Sequence, residues 1–74
     1  MKVLYYGLIQ EEVGLKEEEL ECSSTDQLLE IVVKRNPSLG SVKKSIFVNQ
    51  ELIKENTELG PSDEVVLCPP FAGG

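Results

Sequence analysis

The stretch DEVVLCPPFAGG, residues 63–74, decides how this chain folds. From Val65 to Cys68 it is apolar at every position. An unbroken apolar run of that length suits a strand in the interior of a sheet rather than at its edge. Two prolines follow at once. Each fixes φ and lacks a backbone donor, so neither a ladder nor a helix continues past Cys68. The expected division is a folded body over residues 1–68 and an extended tail over residues 69–74. Six extended residues reach about 20 Å at ~3.3 Å each. Gly73 and Gly74 carry no Cβ, so another protein's backbone can close tightly around them. Glycine-rich ends are commonly frayed and without function. Here Pro69 and Pro70 stiffen the exit, and Phe71 sets one large apolar group on a small tail, where a partner would want an anchor.

An interior strand needs neighbours. Met1 to Ile9 is rich in Val, Leu, Ile and Tyr, and Lys2 is its one charge. It reads as a second central strand. With Lys2 facing water, Met1, Val3 and Tyr5 face the core by period two, and Leu4, Tyr6 and Leu8 share the other face. That second apolar face is either covered by the chain or a docking surface. Gly7 marks a bend or a close approach. Gln10 to Lys16 is polar, with Gly14 as a turn signal. Glu17 to Cys22 then alternates, Glu18, Leu20 and Cys22 inward against Glu17, Glu19 and Glu21 outward. This is the hairpin partner of the first strand, with an acidic face that discourages edge-to-edge pairing.

Ser23 to Asn36 carries the helix. Ser24 with Gln27 fits a capping box, and Asp26 suits the positive end of the dipole. Leu28, Leu29, Ile31, Val32 and Val33 form the apolar stripe, and Pro37 stops it. Ser38 to Ser45 reads as a loop. Ile46 to Asn49 is a short strand, Asn49-Gln50 a turn and Glu51 to Ile53 another short strand. A turn over Asn56 to Gly60 dips Leu59 into the core. Strand, strand, helix, strand, short strand, strand is an α+β order that predicts a β-grasp: a mixed sheet of four to five strands with one helix packed across it. In that topology the first and last strands pair in parallel at the centre. A ferredoxin-like split would need a second helix after residue 50, and no helical periodicity is found there.

Composition narrows the function. At 74 residues with no histidine, there is little room for a cleft and no imidazole base, so a self-sufficient enzyme is not expected. A net charge of −6 repels phosphate backbones, so nucleic acid is a poor partner and a protein with a positive surface a good one. The two cysteines, Cys22 and Cys68, have neither C-x-x-C spacing nor a histidine, so no metal site is expected. They read as small packed apolar groups, with a persulfide or thioester role for Cys68 as the functional alternative. The N-terminal apolar run is too short for a signal peptide or membrane span, which makes the cytoplasm the default compartment.

A β-grasp body with a tail ending in Gly-Gly resembles ubiquitin and its prokaryotic sulfur-carrier relatives. Among these the chain is most similar to the small subunits of molybdopterin synthase. The resemblance rests on KVLYYG with QEEVG after it, on VNQ at Val48 to Gln50, and on DEVVLCPPFAGG. Two departures stand out: Gln10 where the family often has Arg, and Cys68 where an aromatic often precedes the prolines. The resemblance implies a sulfur carrier in molybdenum cofactor biosynthesis, with the catalytic pocket on a large subunit. A ubiquitin-activating-type enzyme would use ATP and magnesium to adenylate the Gly74 carboxylate. A persulfide donor would convert it to a thiocarboxylate, which attacks the cyclic pyranopterin precursor. Gly74 would bear the chemistry, Gly73 and Ala72 would keep the tail slim, and Phe71, Pro70 and Pro69 would direct and anchor it. The outer residues of the first strand, with Val66, Cys68 and Phe71, are candidates for the docking patch. A carrier for thiamine or another thiolated product, and a ubiquitin-like protein modifier, are the alternatives; the former usually lacks Pro-Pro before its tail.

Overall fold

A computed structural model describes residues 1–70. The elements are β1 (Lys2–Tyr5), α1 (Gly7–Val13), β2 (Glu17–Glu19), α2 (Thr25–Arg35), a 3-10 turn (Pro37–Ser41), β3 (Ser45–Val48), β4 (Glu51–Ile53) and β5 (Glu64–Cys68). The strands form one mixed sheet in the order β2-β1-β5-β3-β4. β5 lies at its centre, parallel to β1 and antiparallel to β3. This is the β-grasp arrangement: the last strand of the body is inserted between the two hairpins.

Alternation sets the two faces. Val3, Tyr5, Val65 and Leu67 are fully buried, and so are Ile9, Leu28, Val32 and Leu39 from the helices and the 3-10 turn. They form one core cluster on one side of the sheet. The helix α2 begins as its sequence predicts. The Ser24 hydroxyl accepts from the Gln27 N–H at 3.3 Å, and the Gln27 side chain accepts from the Ser23 N–H at 2.6 Å. A partner from far along the chain adds to this. Asn56 Oδ1 accepts from the Asp26 N–H at 3.0 Å, and the Thr57 N–H donates to Thr25 Oγ1 at 2.9 Å. The connector between β4 and β5 is thereby pinned to the start of the helix.

The first strand ends at Tyr5, not Ile9, and residues 7–13 are a second helix, not a strand end and a polar turn as the sequence suggests. The sheet is therefore crossed by two helices rather than one. The physical reason sits on β5. Tyr5 pairs with Leu67, and the Tyr6 N–H donates to the Leu67 carbonyl at 3.0 Å. The next bond of a parallel ladder would run from residue 69 to the Tyr6 carbonyl, but Pro69 has no N–H to give. That carbonyl instead accepts from the Gln10 N–H at 3.3 Å, the first bond of a helix. Gly14, in the left-handed region at φ 82°, caps its far end. A second, smaller correction is that the segment after Pro37, expected as loop, opens with the 3-10 turn, which buries Leu39. Among the described residues no helix is long and apolar enough to cross a membrane.

Candidate functional site

The sheet face opposite the core carries the site. Register places Leu4 beside Val66, Val66 beside Phe47 and Phe47 beside Leu52. One apolar row thus crosses four adjacent strands, because each residue occupies an outward position of its own strand. Among the described residues the buried side chains of both helices lie on the other face. Leu52 is 46% exposed and Tyr6, just past the end of β1, is 49% exposed.

Where this row meets the end of β5 the surface hollows. A concavity of about 610 Å³ is lined by Tyr6, Phe47, Gln50, Val66, Cys68, Pro69 and Pro70. Its lining is almost wholly apolar. It lies at the end of β5, where Pro69 and Pro70 follow. Pro69 is half-buried and Pro70 exposed. Of the site residues expected from the sequence, these two line the hollow, and Phe71, Ala72, Gly73 and Gly74 lie outside the described residues. Tyr6, Val66 and Cys68, named above as docking candidates, all line the hollow. Leu8, assigned to the same face, stands instead on α1.

Cys68 is buried, its Sγ 3.8 Å from the Ser45 carbonyl. Burial pushes its thiol above the ordinary range, so it is a protonated, packed group at neutral pH, not a thiolate nucleophile. Cys22 is partly buried and shifted the same way for the same reason. The apolar reading of both cysteines fits this environment.

The β3–β4 hairpin supplies Phe47 and Gln50 to the hollow, residues that no sequence signal assigns to it. Asn49 and Gln50 both have positive φ, 50° and 71°, which makes their two-residue turn type I′. Asn49 ties that turn to β5: its amide donates to Asp63 Oδ1 at 2.9 Å, and its carbonyl oxygen accepts from the Glu64 N–H at 3.0 Å. The Gly60 N–H donates to the same carboxylate at 2.7 Å. The Gly60 and Asn49 bonds together hold the Asp63 carboxyl below its usual range.

The geometry is matched by comparison with known proteins. The model of the ThiS family matches residues 3–74. A molybdopterin synthase sulfur carrier subunit of Chlamydomonas reinhardtii is 35% identical over 81 residues, covering 100% of this chain and 98% of that protein. A Pyrococcus furiosus structure described as a putative molybdopterin converting factor, subunit 1, superposes with a TM-score of 0.85 at 25% identity, covering 95% of each chain. The small archaeal modifier protein 1 of Methanosarcina acetivorans superposes with a TM-score of 0.82 at 22% identity, covering 99% of this chain and 94% of that one. At that identity the last match speaks to the fold alone.

Proposed function

The chain belongs to the ThiS family, and from that premise we propose that it is a sulfur carrier for molybdopterin synthesis. The single observation that carries the reading is the end-to-end similarity to the Chlamydomonas carrier subunit, which covers 100% of this chain and so includes the Pro-Pro-x-x-Gly-Gly segment. The apolar hollow at the root of that segment supports it, since a carrier must dock its body while it delivers its end.

In this reading Gly74 is the terminal residue. Its carboxylate is a poor electrophile until one oxygen becomes a good leaving group. An activating enzyme of the ubiquitin-activating type supplies that step with ATP and magnesium, forming the acyl-adenylate. The outer sulfur of a persulfide donor displaces AMP to give an acyl disulfide. A second thiol, of the donor or the activating enzyme, cleaves its S–S bond, leaving the thiocarboxylate and a disulfide between the two thiols. The tail then enters the large subunit of molybdopterin synthase, where the thiocarboxylate attacks the cyclic pyranopterin precursor. Delivery on a tether gives sulfur a high local concentration and a fixed approach, both of which lower the barrier. Gly73 and Ala72 keep the tail narrow, Phe71 anchors it, and Pro69 and Pro70 direct it. The docking surface is the Leu4–Val66–Phe47–Leu52 row with Tyr6 and the hollow.

Intact mass spectrometry tests this. After coexpression with an activating enzyme and a sulfur source, the chain should gain the mass of one oxygen exchanged for sulfur, and deleting Gly74 should abolish the gain while the thermal transition stays. An end that remains unmodified throughout overturns the proposal. Copurification with a thiazole synthase instead of a molybdopterin synthase large subunit would overturn the choice of product.

A further inference from the structure

Pro69, the residue that follows β5, lies against a glycine far from it in sequence. Gly7 sits at the junction of β1 and α1 with φ +60°, and a Cβ built there would lie 2.9 Å from Pro69 Cγ and 3.1 Å from Pro69 Cδ. The first distance is closer than real Cβ atoms approach, and the proline ring is not a flexible side chain that can swing aside. The seat is fixed from both sides. The Tyr6 N–H holds the Leu67 carbonyl at 3.0 Å before it, and the Cys68 between them is buried. A Cβ at position 7 would therefore press on Pro69, and because the ring cannot rotate away the whole residue would have to shift.

We infer that Gly7 is a positioning residue for sulfur delivery: the missing Cβ lets Pro69 rest against the start of α1, and this contact aims Pro70 and the tail beyond it. The inference rests on the sulfur-carrier reading. Gly7 touches neither the reacting carboxylate nor a substrate; it acts through Pro69. A tether that leaves the body at the wrong angle presents its end poorly to both an adenylating site and a sulfur-accepting site. Small misplacements of a reacting group lower rates by on the order of a hundredfold.

Gly14 supplies an internal control. It has φ +82° at the other end of the same helix, yet a Cβ there meets nothing within 4 Å. Gly14→Ala thus shares the backbone strain of Gly7→Ala without the contact. The experiment measures single-turnover thiocarboxylate formation and sulfur transfer for the wild type, Gly7→Ala, Gly14→Ala, Pro69→Ala and the Gly7→Ala/Pro69→Ala pair, alongside each thermal midpoint. Gly7→Ala is expected to lose on the order of tenfold or more in rate, and Gly14→Ala little. The Gly7→Ala effect should shrink in the Pro69→Ala background, where no ring remains to be displaced. Equal losses in the two glycine variants, no loss in Gly7→Ala, or a loss undiminished by Pro69→Ala would overturn the assignment. If Gly7→Ala does not fold, the contact is read in the wild type. A nuclear Overhauser effect between the Gly7 α-protons and the Pro69 ring supports it, and its absence refutes it. A wild-type chain that never gains sulfur would instead defeat the carrier reading, while the Overhauser contact would still report on the seat itself.

Discussion

At the scale of single residues, the positive-φ turn and the carboxylate beside it give the sharpest expectations. Asn49 tolerates the left-handed region and is held there by its bonds to Asp63 and Glu64. Gln50, at φ 71°, has no comparable reason to be there. Gln50→Gly removes a left-handed penalty of roughly 1–2 kcal/mol against a glycine entropy cost of roughly 0.5–1 kcal/mol, so it should raise the unfolding free energy by about 0.5–1 kcal/mol in a urea titration. Asp63 sets an acid limb. Its carboxyl is held below the ordinary value of 3.8 by the Gly60 N–H and the Asn49 amide. A depressed folded value means that its contribution is fully present above about pH 3.8. It is lost as pH falls through the lower, folded value. Asp63→Asn should therefore flatten the fall in thermal midpoint between about pH 5 and pH 2, and an unchanged acid limb would show that the cluster contributes nothing. Tyr5 carries the opposite shift: burial and the bond from its hydroxyl to Glu18 raise its phenol. That bond belongs to a chain of three, since Arg35 also grips Glu18, with Nη2 3.0 Å from Oε2.

Elements in this fold stand because of what touches them from elsewhere. A seven-residue helix such as α1 is too short to persist alone in water. It survives through Ile9, fully buried, and through the ladder bond that Pro69 cannot make. The helix α2 carries β-branched Ile31, Val32 and Val33, which are only fair helix formers, so its ends and its packing matter. Its N-terminus has local partners in Ser24 and Gln27 and a remote one in Asn56. Asn56→Ala removes the acceptor for the Asp26 N–H and unpins the connector. It should cost about 1 kcal/mol in equilibrium unfolding, comparable to losing a helix cap. A change within error would mean that Ser24 and Gln27 suffice. The hairpin β3–β4 needs no such help from a distance beyond Asn49, since its turn type matches the twist of its strands.

For the molecule as a whole, placing β5 at the centre of the sheet has a mechanical consequence. Pro69 follows directly on a strand paired on both sides, so a pull from that end is resisted by two ladders. Six residues, if extended, would span about 20 Å, as far as the body's shortest dimension, 19 Å. The carrier proposal uses that length: the end would reach a buried site while the body stays outside on its apolar row. Leu52 is the outermost member of that row and 46% exposed. If the carrier proposal holds, Leu52→Glu should weaken binding to a molybdopterin synthase large subunit by about tenfold in calorimetry, with the unfolding free energy moving by less than about 0.5 kcal/mol. Unchanged affinity would place the docking surface elsewhere.

Read alone, the sequence specified the elements whose signals are local. The apolar run at Val65–Cys68, the alternation of Met1, Val3 and Tyr5, the Ser24 cap and the Asn49-Gln50 turn each come from period, cap or turn chemistry over a few neighbouring residues. So do the β-grasp order and the Pro-Pro-Phe-Ala-Gly-Gly segment. The end of β1, the second helix and the hollow depended on tertiary structure. Leu8 and Ile9 extend an apolar run as well as they fit a helix, and only the absent donor of Pro69, just past a strand more than fifty residues away in the sequence, settles which. Likewise Phe47 and Gln50 meet Pro69 and Pro70 in the hollow only through sheet register, a long-range relation that no local pattern encodes.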